Sequence, residues 1–134
     1  MRPAIPDERP IMTESTAYLL YAHGARDPDW ATPVRTIAAR LREVTSGQRV
    51  EVAYLEHMAP TMEQAVTALA GEGVRRVIVV PLFVGRGGHL KKDLPVVLER
   101  CRAGHPEMDI RVRPALGEDA AIVDAIVNWI LAGP

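Results

Sequence analysis

The 134-residue chain has one cysteine, Cys101, and two lysines, Lys91 and Lys92. A single thiol excludes an internal disulfide framework and a Cys-based zinc site, and it suits a reducing cytosol. A cytoplasmic location is therefore expected. The formal net charge is −1, so no excess of positive charge draws the chain to nucleic acid or to an anionic membrane. No run approaches the ~20 consecutive apolar residues of a membrane-spanning helix. The opening residues, rich in Pro, Asp, Glu, Arg and Thr, lack the apolar core of a secretory signal. Nucleotide motifs are missing too. Gly85, Gly87 and Gly88 belong to no G-x-x-x-x-G-K-[ST] loop, and no G-x-G-x-x-G follows the first apolar run. No nucleic acid, membrane or nucleotide is expected as partner or cofactor.

What is present is an apolar fraction of 48% and a charged fraction of 25%, as in a globular domain, over a length that fits one core. Residues 1–16 read as a disordered or loosely attached lead, and 17–134 as the folded domain. Four apolar runs have the length and composition of strands: Ala17–Ala22, Val50–Leu55, Arg76–Pro81 and Ile110–Pro114. The first and third are nearly continuous in apolar residues, as strands buried on both faces are. The second and fourth alternate, which predicts sheet edges.

Helical spacing links these runs. It appears at Val34, Ile37, Ala38, Leu41 and Val44, and again at Met62, Ala65, Val66 and Leu69 after Pro60, a plausible first helical residue. Gly71 or Gly73 then ends that helix. Leu94, Val97, Leu98 and Cys101 predict a third helix, with Cys101 buried on its apolar stripe. Ile122, Val123, Ile126, Val127 and Ile130 predict a fourth, with Asp119 as its N-cap. Trp30 and Trp129 are expected to pack on helices, and His105, between Gly104 and Pro106, to lie in an exposed turn. Strands alternating with helices make right-handed crossovers and a parallel sheet. The expected fold is α/β, a flavodoxin-like four-stranded sheet of order 2-1-3-4 with helices on both faces.

In such a sheet ligands bind beyond the carboxyl ends of the strands, where the order reverses. His23 follows the first strand, Glu56 the second and His89 the third, so topology brings all three to one rim. Imidazole and carboxylate suit first-row divalent ions, and three ligands leave coordination positions open. Imidazole also titrates near neutrality. Gly85, Gly87 and Gly88 let the backbone approach a flat or bulky ligand. Arg26, Arg86, Lys91 and Lys92 are placed to pair with carboxylates or phosphates on it. His57, next to Glu56, would point the other way in an extended chain. Each histidine alone has an ordinary structural reading; their shared rim favours a joint role.

Three segments, LLYAHGARDPDW (19–30), AYLEHMAPTMEQAV (53–66) and VVPLFVGRGGHLKKDLP (79–95), closely resemble the short-form CbiX-type sirohydrochlorin chelatases. These are half-length relatives of the class II enzymes that insert a metal into tetrapyrroles without ATP. The resemblance runs from Tyr18 to about Ile130, and it is the three motifs together that make it specific. It implies a homodimer with the cleft between two copies. It implies that His23 and His89 bind the metal and accept protons, with Glu56 the accompanying carboxylate. It further implies a divalent ion (Co²⁺, Fe²⁺ or Ni²⁺) as substrate beside sirohydrochlorin. Ala25 departs from the family's usual Ser. The iron–sulfur cysteine motif and histidine-rich tail of some longer relatives are absent, so no iron–sulfur cluster is expected. A non-catalytic tetrapyrrole or metal carrier and a metal-dependent hydrolase are the competing expectations.

Overall fold

Leu19 and Leu20 are adjacent in the chain and both are buried, one on each face of the same sheet. That is possible because successive side chains of a strand point to opposite faces, and here both faces are covered. The computed structural model describes residues 15–85 and 87–134, and of His89 the backbone. Its elements run β1 (Thr16–Ala22), α1 (Thr32–Val44), β2 (Arg49–Tyr54), α2 (Met62–Gly71), β3 (Arg76–Pro81), α3 (Gly88–Gly104), β4 (Asp109–Val112) and α4 (Ala120–Leu131). The sheet order is β2-β1-β3-β4, and every strand pair is parallel. The expected 2-1-3-4 fold is the observed one, with the alternating runs β2 and β4 at the edges.

One core joins Ala17, Leu19 and Tyr21 of β1 and Val77 and Val79 of β3 to Met62, Val66 and Leu69 of α2 and to Leu94, Leu98 and Cys101 of α3. On the opposite face Leu20 and Val50 pack under Ala38 of α1. Cys101 is buried as expected, and burial pushes its thiol above the ordinary range. Most of the expected lead lies outside the described residues. Its end does not: Thr16 opens β1 and is fully buried, and the carbonyl of Ser15 accepts from the amides of Arg75 and Arg76.

Local signals account for most helix ends, with one correction. α2 starts at Met62, not Pro60. Thr61 caps it by accepting from the Gln64 amide at 3.2 Å, while the Gln64 side chain accepts from the Thr61 amide at 2.9 Å, a reciprocal capping box. The Pro60 carbonyl is used elsewhere, accepting from the Tyr54 amide at 2.9 Å. His105 is a second correction. It caps α3, half-buried, with Nε2 3.2 Å from the Thr67 hydroxyl of α2, because the last turn of α3 packs beside α2.

The third correction concerns α4. Asp119 caps it as expected, accepting from the amides of Ala121 and Ile122. The helix does not bury its apolar stripe, however. Every residue from Ala120 to Pro134 is exposed, and Trp129, expected to pack, is 75% exposed. Trp30 sits in a short 3-10 turn, Pro28–Ala31, and is also exposed. Among the described residues no helix is long and apolar enough to cross a membrane.

Candidate active site

The rim is built by chain that continues past the strand ends. Beyond the last residues of β1 and β2, the carbonyls of Ala22 and His23 accept from the amides of Leu55 and Glu56 at 2.8 and 2.9 Å. The sheet ladder is thereby extended by two bonds, and the backbones of His23 and Glu56 lie side by side. Gly24 makes this approach possible. Its φ is +89°, and a Cβ there would fall 1.9 Å from the Glu56 carbonyl oxygen. No residue with a side chain fits that position. The side chains of His23 and Glu56 are both exposed.

The third wall comes from the segment after β3. The Leu82 amide donates to the Tyr21 carbonyl at 2.8 Å, and Phe83 turns into the core, 1% exposed. Its ring meets the His23 imidazole edge-to-face, with centroids 4.6 Å apart and planes at 77°, and meets Tyr21 in the same way at 5.7 Å. Such T-shaped contacts favour one ring orientation, so His23 is braced from below while its face to solvent stays open. Burial raises the Tyr21 phenol above its ordinary range, with the nearby Cys101, Asp93 and Glu63 adding to the effect. Gly117 backs this segment: a Cβ there would lie 1.5 Å from the Val84 carbonyl oxygen, and its amide donates to the Phe83 carbonyl at 3.4 Å. Val84 and Gly85 are exposed beyond it.

α3 begins at this rim with Gly87 as N-cap and no capping side chain. The positive end of its dipole there favours an anionic group. His89 lies in the first turn of α3, so its backbone stands at the expected edge; its side chain lies outside the described residues. Gly88 opens the helix, Lys91 and Lys92 are exposed in its first turns, and Arg26 is exposed after β1. Arg86 lies outside the described residues.

The structure thus brings His23, Glu56 and the start of α3 to one edge, as the strand order requires. Among the described residues no group of three or more His, Cys, Asp or Glu side chains is assembled to hold a metal. The expected three-ligand set of His23, His89 and Glu56 accordingly rests on a side chain beyond that description. His57, expected to point away from Glu56 in an extended chain, is exposed, and the chain there is not extended. Its φ of 63° is left-handed, so strand alternation does not apply there. Sequence reasoning missed Phe83 and Gly117. Phe83 carried a signal, as the chain's single Phe placed just past a strand. Gly117 carried none, because its constraint is a contact with residue 84.

An open parallel sheet with an exposed, ring-braced imidazole and a carboxylate at its switch point defines a class of protein, a doubly wound domain that handles a small ligand or metal at one rim. The sequence model of CbiX matches residues 17–131, and the chain belongs to the CbiX family. It is 30% identical over 126 residues to the sirohydrochlorin cobaltochelatase of Methanosarcina acetivorans, covering 89% of this chain and 97% of that one. The sirohydrochlorin ferrochelatase of Priestia megaterium is 29% identical, over 85% of this chain and 43% of that one. Among solved structures, one from Marinobacter aquaeolei VT8, described as a cobalamin (vitamin B12) biosynthesis CbiX protein, superposes with a TM-score of 0.77 at 31% identity, over 87% and 95% of the two chains. The sirohydrochlorin chelatase SirB of Bacillus subtilis subspecies spizizenii, in complex with cobalt, superposes with a TM-score of 0.73 at 25% identity, over 87% of this chain and 50% of that one. The chain therefore spans nearly all of some relatives and about half of others.

Proposed function

We propose that this protein is a sirohydrochlorin metal chelatase, inserting a divalent ion (Co²⁺, Fe²⁺ or Ni²⁺) into the tetrapyrrole without ATP. It would act as a cytoplasmic homodimer serving cobalamin or sirohaem synthesis. The observation that carries the reading is His23: an imidazole at the end of β1, open to solvent, oriented by the Phe83 ring and set beside Glu56. Insertion needs a ligand that holds the incoming ion loosely and a base for the two pyrrole N–H protons that leave. A neutral imidazole does the first and, once the ion has moved on, the second. His89, in the first turn of α3, supplies the second imidazole, and Glu56 an electrostatic partner or second base.

Sirohydrochlorin is rich in carboxylates. Arg26 and Lys91, with the start of α3, would offer a cationic border for them, to which Arg86 would add its charge, and Gly85, Gly87 and Gly88 would let the flat ring approach the backbone. One domain offers one wall of a cleft, and a second copy supplies the other.

The test is anaerobic insertion of each ion into sirohydrochlorin, followed in the visible spectrum. His23→Ala and His89→Ala should each remove most of the enzymatic gain. Unchanged rates in both variants reject the site. Stoichiometric retention of tetrapyrrole with no turnover would identify a carrier instead.

A further inference from the structure

Glycines serve this chain in two different ways. Gly24 and Gly117 leave no room for a side chain, since a Cβ at either would strike a neighbouring carbonyl oxygen. Gly85, Gly87 and Gly88 are the opposite case. A Cβ at any of the three would meet nothing within 4 Å, and none has a left-handed φ. Gly87 has a local use as the N-cap of α3. Neither packing within the chain nor backbone conformation demands glycine at the other two. The stretch after β3 is a ledge of nearly bare backbone, open to something that lies flat against it.

The residue that opens this ledge is apolar. Val84 is 75% exposed, whereas the other large apolar side chains exposed outside α4 among the described residues, Trp30, Ile37, Val96 and Val112, lie between 39% and 49%. A single exposed apolar side chain needs no explanation by itself. Val84 differs in how it is held. Its carbonyl abuts Gly117, where a Cβ would lie 1.5 Å from its oxygen, and the Gly117 amide donates to the Phe83 carbonyl at 3.4 Å. The turn that does this, Leu116–Glu118, is tied down in turn, the Glu118 carboxylate accepting from the Ala115 amide at 2.9 Å. On the other side of Val84 in the chain, Phe83 is buried against the His23 ring. The backbone of Val84 is fixed while its side chain is left in water. A preorganised apolar contact has this form, because its backbone needs no further ordering when a ligand arrives.

We propose that Val84 and Gly85 form one seat for the flat face of the tetrapyrrole, with Val84 as its apolar contact. The inference rests on the chelatase reading and adds which residues bear the face of the ring. Cationic groups at the border meet the carboxylates at the periphery of the macrocycle. They offer nothing to its apolar face, which needs apolar surface and room to lie close. Val84 supplies the surface, and the open position at Gly85 supplies the room. Phe83 links this seat to the metal-handling imidazole, since it precedes Val84 in the chain and its ring centroid lies 4.6 Å from that of His23.

The test reads binding apart from turnover. Affinity of the full chain for metal-free sirohydrochlorin is followed through the fluorescence of the tetrapyrrole, Co²⁺ insertion through the visible spectrum, and stability through urea unfolding. Val84→Ala deletes two methyl groups from the contact, and at about fourfold per buried carbon Kd should rise about 4- to 15-fold. Val84→Asp, which sets a charge against the ring, should raise it at least about 30-fold. Val84→Leu should stay within about threefold of the parent. The ratio of Kd between Val84→Ala and the parent should not change with salt, because the lost contact carries no charge. Since Val84 is exposed, these variants should unfold at the parent's urea midpoint. Gly85→Ala should be at least as stable as the parent, because the site has room for the methyl group and the unfolded chain loses freedom. It should nevertheless bind sirohydrochlorin about fivefold or more weakly, as the methyl lifts the ring from the backbone.

A Kd within about twofold of the parent in either Val84→Asp or Gly85→Ala, with insertion intact, overturns the seat and leaves the chelatase reading standing. So does a weaker Kd that tracks a lower urea midpoint across the Val84 variants, which would make the residue structural. A parent protein that neither binds nor metallates sirohydrochlorin overturns both.

Discussion

Replacing Gly24 by Ala should cost this protein a large share of its stability, and the structure separates the cost into two parts. The first is conformational. At φ +89° a residue with a Cβ is strained by about 1–2 kcal/mol. The second is steric. The new Cβ would lie 1.9 Å from the Glu56 carbonyl oxygen and 3.1 Å from its carbon, so backbone must move. The movement breaks the bond from the Glu56 amide to the His23 carbonyl, about 1 kcal/mol net, and disturbs its neighbour from Leu55. With up to about 1 kcal/mol more for the disturbed neighbour, the sum is about 2–4 kcal/mol, against a total stability of about 5–15 kcal/mol for a domain. Gly47 supplies the control. Its φ is +88°, yet nothing lies within 4 Å of a Cβ there, so Gly47→Ala carries the conformational part alone. Urea unfolding of both variants, with unchanged m-values, measures the difference directly. Equal losses within about 0.5 kcal/mol would refute the claim that Gly24 is there for the approach of the two strand ends. In the folded fraction of Gly24→Ala, metal insertion should also fall, because His23 and Glu56 no longer share a fixed spacing.

Phe83→Ala should cost about 3–5 kcal/mol as a buried ring is removed; Phe83→Leu should cost about 1 kcal/mol yet lower insertion, since the aromatic edge under His23 is gone, and rate and stability measured together separate the effects. Thr61→Ala should lose about 1 kcal/mol with the α2 cap, read as a shift in urea midpoint. At high pH the unfolded chain releases the Cys101 proton near its ordinary 9.0 and the Tyr21 proton near 10.0, while the folded chain, by burial, holds both longer. Their contribution to stability is therefore whole below pH 9 and is lost as pH rises through the raised folded values. Unfolding free energy against pH, with phenolate absorbance as the probe, should show a decline that Tyr21→Phe reduces.

Much of the fold was legible because it rests on local periodicity. The near-continuous runs of β1 and β3 and the alternation of β2 and β4 separated central from edge strands, since burial on two faces selects apolar residues at every position. Asp119 announced the start of α4, and the spacing of Leu94, Leu98 and Cys101 announced the buried stripe of α3, by the same local logic. Pro60 misled, because its fixed φ suits a first helical turn while Thr61 and Gln64 satisfy the orphan amides one residue later. His105 misled because its partner Thr67 belongs to another helix. At the site, the positions of His23 and Glu56 followed from strand order. The brace of Phe83 and the packing of Gly117 on Val84 did not, since each joins segments with no local sequence relation.

By itself the chain of residues determined which segments are strands and helices, and which strands are buried on both faces; spacing and composition carry that information because backbone geometry is short-ranged. The order 2-1-3-4, and with it the shared edge, is expected only as a common one for such a sheet and is set by long-range pairing. Tertiary structure alone decided how the imidazole is held, why Gly24 must be a glycine, and that α4 turns an apolar stripe to solvent. A stripe of isoleucine and valine specifies that a helix must be covered, and its surface chemistry is the same whichever surface covers it. What does so depends on the direction in which the preceding turn launches the helix.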